Sequence, residues 1–387
     1  MKVLMLLDNP FVSDARVEKE AISLLDFGIE VTVACTQDEN LPNLDKRNGI
    51  SINRCISNFF NAPFKKGYNA LLDKTVCEIL EINFDILHCH DFHMLSIGAE
   101  IKKRKKSIIL IYDAHEYLKG WPFYETSEGW LNKFKGRIVW NFLLKEEKKN
   151  VQLADHVITI TDGIANQLYK NYKLNSKPIV LGNFAKKYEP IIDKSYFHKL
   201  YNINPNTQII IHTGTIYHTD QQIKDLYDII LSIENMALVF IGNRPRFYSE
   251  QQKVKSNKLY NRRIFFHEYL SNQKDNIQLI ASGDIGLMHI RDKWEAHKIG
   301  FSNRFIEYLS AQLPVIATPQ EFTMKINLEF NCCEFYSEND IDNLKKAIIK
   351  ISMQLSEYTE NAIIAQNNMN WEHESLKLLK LYSTFND

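Results

Sequence analysis

The stretch Gly300 to Thr318, GFSNRFIEYLSAQLPVIAT, constrains this chain more than any other. It opens on a small-residue turn at Ser302 and Asn303, continues with apolar Phe305, Ile306 and Leu309 at helical spacing, and stops at Leu313-Pro314 before the β-branched run Val315-Ile316-Ala317. That is a helix feeding a buried strand. At the start of such a helix, free backbone N–H groups, the positive end of the dipole and the Arg304 guanidinium meet at one place, which suits a phosphate or diphosphate. Glu307 lies about one turn on, where a carboxylate suits the paired hydroxyls of a ribose. On spacing alone, the plainer alternative is the stronger: an amphipathic helix with Asn303 as N-cap and Glu307 solvated.

A chain of 387 residues is long enough for two domains of ordinary size. Lys+Arg and Asp+Glu are equal at 47 each, so no global field argues for nucleic acid. Cys35, Cys55, Cys77, Cys89, Cys332 and Cys333 show no C-x-x-C spacing and read as reduced thiols of an intracellular protein, with no structural zinc expected. The opening MKVLMLLDNP holds an apolar run too short for a signal peptide or a bilayer span. A cytoplasmic protein is expected, peripheral at most to the inner face of a membrane.

Val3 to Leu7 reads as a central parallel strand, Ala15 to Phe27 as a helix stopped by Gly28, and Glu30 to Cys35 as a second strand, forming a βαβ unit. Arg16 falls in the first turn of that helix, near the strand ends where open α/β sheets bind ligands. The alternative is a surface arginine beside Glu20. A helix Tyr68–Ile82 then leads to the strand ending in His88, His90, Asp91 and His93. A metal reading of this cluster is the weaker one, because alternation sends His88 and His90 to one face and Asp91 to the other, and no distant cysteine or carboxylate set is evident to complete a site. The next strand, Ile108–Tyr112, delivers Asp113-Ala114-His115-Glu116. A histidine there, flanked by two carboxylates, either hydrogen-bonds a substrate and assists proton transfer or simply caps a loop.

The aromatic loop Lys119–Trp130 and the helix Leu131–Lys149 interleave aromatics with Lys and Arg. A membrane surface or a lipid-linked acceptor is one reading. A core helix with a solvated face is the stronger, because Glu146 and Glu147 dilute the charge. Further strands are expected at Ala154–Thr161 and Pro178–Asn183, with a domain boundary near Phe184. The second half repeats the plan: Gln208–His212 running into Thr213-Gly214-Thr215, then Ala237–Gly242, Ile264–His267, Gly283–Met288 and Cys332–Tyr336.

The stretch S-N-R-F-I-E-Y-L-S-A-Q-L-P-V-I-A-T resembles the nucleotide-sugar signature of the group 1 glycosyltransferases (glycosyltransferase family 4), and S-D-A-R-V-E-K-E-A resembles the opening of a sub-group of them. The resemblance implies the GT-B fold: two Rossmann-like doubly wound domains facing across a cleft, with a C-terminal helix crossing back to the first. On it, residues 1–184 form an acceptor-side domain, 185–368 a nucleotide-sugar domain and 369–387 the returning helix. It implies a retaining glycosyltransferase moving a sugar from a UDP- or GDP-linked donor to a glycan or lipid-linked acceptor, in bacterial cell-surface polysaccharide or glycoconjugate synthesis. No metal or other cofactor is implied, since positive groups at the helix start meet the departing diphosphate.

Carried over residue by residue, His115 and Glu116 become catalytic candidates. Gly214, Glu268, Ser302, Asn303, Arg304 and Glu307 become donor-binding candidates, and Asp14, Arg16, His90 and Asp91 line the acceptor side or cleft. Three departures stand out. Gln312 replaces a glycine, tolerable if it adopts the left-handed C-cap conformation. Ile299 replaces the first glutamate of the usual pair. His218-Thr219-Asp220-Gln221 replaces the Arg or Lys that follows the glycine loop, leaving Arg244 as the nominee for the missing cation. Two rivals remain: a nucleotide-sugar epimerase of the same plan, and a non-catalytic nucleotide-sugar-binding partner.

Overall fold

The structure, a computed structural model, describes residues 1–57, 65–270 and 272–385. The chain divides into two compact units, Met1–Asn183 with Glu374–Asp387, and Phe184–His373.

The first unit is built on an eight-stranded sheet: β1 (Lys2–Leu7), β2 (Glu30–Thr36), β3 (Leu44–Arg47), β4 (Ile50–Ile56), β5 (Ile86–His90), β6 (Ile109–Ala114), β7 (His156–Thr159) and β8 (Ile179–Val180), in the order β3-β4-β2-β1-β5-β6-β7-β8. All neighbours are parallel except β3 and β4, which form an antiparallel hairpin at the edge. Its turn is Asn48-Gly49, both with left-handed φ of 52° and 84°, as a two-residue hairpin with an inverted type I turn requires. Leu4, Leu6, Leu87, Cys89 and Leu110 join Met94, Ile97 and Ile101 of the helix Asp91–Arg104 in one core. The helix Trp371–Ser383 ends in this unit, with Tyr382 fully buried.

The second unit carries β9 (Gln208–Thr213), β10 (Met236–Gly242), β11 (Ile264–Glu268), β12 (Ile285–Met288), β13 (Val315–Ala317) and β14 (Cys333–Phe335), wholly parallel in the order β11-β10-β9-β12-β13-β14. This is the doubly wound order, which reverses direction between β9 and β12. Alternate residues of single strands feed two separate cores: Ile209, Ile211, Val239 and Ile241 enter one, and Ile210, Leu238 and Phe240 the other. Both faces of the sheet are therefore covered, which is why these strands read as unbroken apolar runs.

The helix expected after Ser302 spans Asn303–Ser310 and buries Phe305, Ile306, Tyr308 and Leu309. Each such side chain contributes about 1.5 to 3 kcal/mol of apolar burial. Gln312 takes φ 60°, and Leu313 N donates to Tyr308 O, so the glutamine does serve as the left-handed terminus.

The helix Trp130–Asn150 departs from its core reading. Only Glu147 and Asn150 are buried on it, while Trp130, Leu131, Phe134, Ile138 and Val139 are exposed. Among the described residues, no helix is long and apolar enough to cross a membrane.

Candidate active site

The strand ends of the second unit gather most of the donor-side residues. β9 delivers Gly214, whose φ of 69° suits glycine and whose N–H donates to Ile241 O. Arg304 lies against it: a side chain added at Gly214 would place its Cβ 3.5 Å from Arg304 Nε. The guanidinium also donates from Nη2 to Thr215 O at 2.7 Å and sits 5.0 Å from the Tyr217 ring centroid. Its Nη1 is buried and has no partner among the described residues.

Tyr308 fixes the helix start beside this loop. Its hydroxyl accepts from Thr213 N at 2.9 Å and donates to Leu287 O at 3.0 Å, bridging β9 and β12. Its ring lies against Gly286, where any Cβ would collide with it. Ser302 is buried as the N-cap but makes no side-chain cap bond, and Asn303 is exposed at the first helical position. Glu307, half-buried on the same helix, accepts from Tyr269 Oη at 2.9 Å. Burial raises its pKa, and the Tyr269 hydrogen bond and Arg304 oppose the rise without cancelling it.

The other donor-side nominees fall differently. Arg244 is exposed, capping the helix Pro245–Lys255. The cation that lies against Gly214 is Arg304. Glu268 is exposed at the end of β11 and accepts from Tyr248 Oη at 3.4 Å. Ile299, in place of the first glutamate, is buried at the end of the helix Glu295–Ile299. The segment after Gly214 turns into a helix: Thr219 caps Asp220–Ser232 with a capping box to Gln222, and Asp220 pairs with Arg246 at 2.8 Å.

In the first unit, Arg16, His88, His90, Asp91, Asp113 and His115 come together, joined by Glu20. Arg16 is neither a surface arginine nor available to a phosphate. It is buried, its Nε and Nη2 grip Asp113 at 3.2 and 2.9 Å, its Nη1 donates to Leu181 O at 3.0 Å, and Glu20 lies 3.1 Å away. The expected phosphate or cleft role of Arg16 is corrected accordingly, because its donors are directed inward. Asp14 is likewise structural: it caps the helix Ala15–Asp26 through Val17 N and accepts from Asn9 Nδ2 at 3.0 Å.

His115 is held between two carboxylates, but they are Asp91 and Asp113, at 3.1 Å from Nδ1 and 3.2 Å from Nε2. Burial alone pulls its pKa down; the two carboxylates overcome this and raise it well above the usual imidazole range. A histidine held as imidazolium is a source of positive charge and a proton donor. Glu116 is exposed and stands outside this clamp. Asp91 reaches His115 from a left-handed φ of 64°, also accepting from its backbone N–H at 3.1 Å. Asp113, despite burial, is held well below the usual carboxylate range by Arg16 and His115.

His88 and His90 share one face of β5, stacked with centroids 4.4 Å apart. A carboxylate pair does complete a quartet with them, contrary to the sequence reading. Glu20, His88, His90 and Asp113 each offer an atom within 4.8 Å of the others, an arrangement able to take a metal ion. Arg16 already lies against both carboxylates. Burial raises the Glu20 pKa and lowers that of His88. Arg16 and His115 meet the charge of Asp113 and Asp91 within the protein.

The sequence reading passed over His212 and His289 and took His218 only as a replacement for an Arg or Lys; the three cluster beside Arg304. His212 directly precedes Thr213-Gly214 and His289 directly follows β12, so both stand where the strand order reverses. Position at those two strand ends was the available signal.

Similarity to known proteins agrees with these two units. Residues 17–184 match Glycosyltransferase Family 4, and residues 207–353 match Glycosyl transferases group 1. No curated protein matches the chain in sequence. Among solved structures, sucrose-phosphate synthase from Thermosynechococcus elongatus superposes with a TM-score of 0.73 at 15% identity, covering 100% of this chain and 99% of that one. Anabaena HepE in complex with UDP gives 0.70 at 15% identity, covering 99% and 100%. WaaG, a glycosyltransferase involved in lipopolysaccharide biosynthesis, gives 0.65 at 15% identity, covering 98% and 99%. At such identities these likenesses speak for the fold. Through its two matched domains, the chain belongs to the group 1 glycosyltransferases, built on the GT-B fold.

Proposed function

We propose that the protein transfers a sugar, with retention of anomeric configuration, from a UDP- or GDP-linked donor to a glycan or lipid-linked acceptor in bacterial cell-surface polysaccharide or glycoconjugate synthesis. One observation carries this reading: Arg304, braced on Gly214 and Thr215, keeps a buried Nη1 N–H without a partner at the start of the helix Asn303–Ser310. An unmet guanidinium donor beside a helix N-terminus is suited to a diphosphate. Glu307 takes the ribose hydroxyls. Charge developing on the leaving diphosphate is met by these fixed donors, so transfer proceeds without a metal ion. His115 supplies positive charge at the sugar or acceptor, exchanging its contact with half-exposed Asp91 for a substrate hydroxyl.

The exposed apolar row Trp130, Phe134 and Ile138, at four-residue spacing and flanked by Lys133, Lys135 and Arg137, supports peripheral contact with an anionic membrane at the cytoplasmic face. Vesicles of anionic lipid should sediment the wild type and leave a Phe134→Glu variant in solution.

The test of the activity is a thermal-shift panel of nucleotide sugars followed by product analysis with acceptors and excess EDTA. Stabilisation by one donor and transfer with a retained anomeric centre is the expected outcome. No stabilisation by any donor contradicts the reading. Epimerised donor as the product assigns the epimerase instead, and activity restored only by magnesium or manganese refutes metal independence.

A further inference from the structure

Three imidazoles lie under the loop that carries Gly214. His218 and His289 stack with centroids 3.9 Å apart and planes 19° apart, and His212 lies 5.5 Å from His218. All three are buried. His289 Nδ1 pairs with Tyr336 Oη at 2.8 Å, but His289 Nε2 and both ring nitrogens of His212 and His218 have no partner among the described residues. Arg304 Nη1 shares that condition. Buried polar atoms are normally satisfied, so this many orphans in one place call for a missing ligand or proton.

The surroundings say which sign of charge is missing. Arg304 acts on all three rings from the helix Asn303–Ser310, Arg291 acts on His289 from its own loop, and Arg246 acts on His218 from the helix Pro245–Lys255. Two further neighbours are neutral: the Phe240 ring of β10, 5.0 Å from His212, and Tyr336 past β14, on which Glu338 acts. Among the described residues no carboxylate is paired with any of the three rings, and Asp220 is taken by Arg246. Burial and these cations hold the imidazoles neutral, with His289 lowered to about 4 and His212 and His218 well below the usual range. A bound cation would meet three guanidiniums; an anion would be met by them.

We propose that this imidazole cluster takes up a proton from solvent when the donor's diphosphate binds, and so replaces the fixed cation absent from the segment His218–Gln221. The inference rests on reading the second unit as the nucleotide-sugar site. A diphosphate beside Arg304 cancels the potential that suppresses protonation, and the imidazole pKa rises. His218, in contact with both other rings, is the acceptor of the proton. Because the bound form holds more protons, affinity weakens as pH rises through the bound-state pKa.

Titration calorimetry of the full chain with UDP and with GDP, in buffers of different ionisation enthalpy, reads the proton directly. Near neutral pH we expect net uptake, roughly half to one proton per nucleotide, with affinity weakening up to about tenfold per pH unit through the transition. The nucleotide's own terminal phosphate ionises at about pH 6 and releases protons on meeting cations, a signal of opposite sign. His218→Asn should remove at least half of the uptake and weaken binding roughly three- to tenfold at low pH, with the two proteins converging at high pH. Nucleotide binding with no uptake in the wild type overturns the inference alone, whatever the variant does. Undiminished uptake in a folded His218→Asn variant overturns it as well. If neither nucleotide binds, the reading of the site fails and the inference with it.

Discussion

The strand ends of both units carry buried ionisable side chains, arranged in opposite ways. In the first, Arg16 and His115 face Asp113 and Asp91 at 2.9 to 3.2 Å, so opposite charges are paired within the protein, although His88 Nε2 and His90 Nε2 find no hydrogen-bond partner there among the described residues. In the second, among the described residues, no carboxylate pairs with the three imidazoles, Arg304 has Glu307 on its own helix, and Arg304 Nη1, His289 Nε2 and both ring nitrogens of His212 and His218 lack partners. A balanced cluster sets structure and fixes protonation states before substrate arrives. An unbalanced one depends on a ligand to complete it. Mutations of the buried Arg16–Asp113 pair should therefore damage the fold, and mutations of the Arg304 cluster should damage binding.

The largest effect should come from Asp113→Asn. It leaves Arg16 buried without its principal counter-ion, and breaking such a pair costs about 3 to 5 kcal/mol. Denaturant unfolding should show the loss, while nucleotide affinity of the folded protein stays within twofold. A stable variant with weakened nucleotide binding would reverse the comparison.

His115→Ala should lower kcat by roughly two to four powers of ten with nucleotide affinity nearly unchanged, since a positioned charge matters most in the transition state. The discriminating measurement is melting temperature on the same sample. A rate loss that merely follows the unfolded fraction would make His115 structural only.

The same histidine gives a pH signature of smaller size. Its folded pKa lies above the unfolded value of about 6.5, so its stabilisation is complete below that pH and is lost as pH rises through the folded pKa. Melting curves should decline toward alkaline pH in the wild type, and His115→Gln should flatten that decline. An identical slope in both proteins would remove His115 from the charge balance.

Tyr382→Phe sharpens the comparison most finely. The tyrosine hydroxyl reaches His88 Nδ1 at 2.9 Å in full burial, and its loss leaves an unsatisfied ring nitrogen at a cost of about 1 to 3 kcal/mol. Chemical unfolding should register the change with no effect on nucleotide binding.

These contrasts bear on what was legible in the chain. The helix and strand from Asn303 to Ala317 were, because spacing, turn and β-branching agree there, and Gln312 adopts the conformation that reading required of it. The hairpin of β3 and β4 was hidden: Leu44–Arg47 is largely exposed and shows no alternation, although Asn48-Gly49 marks the turn. Arg16 was misjudged because its partner Asp113 lies 97 residues away, and local sequence holds no trace of that pairing. The helix Trp130–Asn150 was misjudged for the converse reason, since apolar content does not reveal which side chains are left outside.

The central claim is that Arg304 and its neighbours receive the donor's diphosphate. Calorimetric binding of UDP and GDP to wild type and Arg304→Gln tests it most directly. Loss of a charged donor pair facing phosphate is expected to weaken the preferred nucleotide by about a hundredfold, with an unchanged melting temperature. A folded Arg304→Gln protein that binds that nucleotide within twofold of wild type would contradict the account.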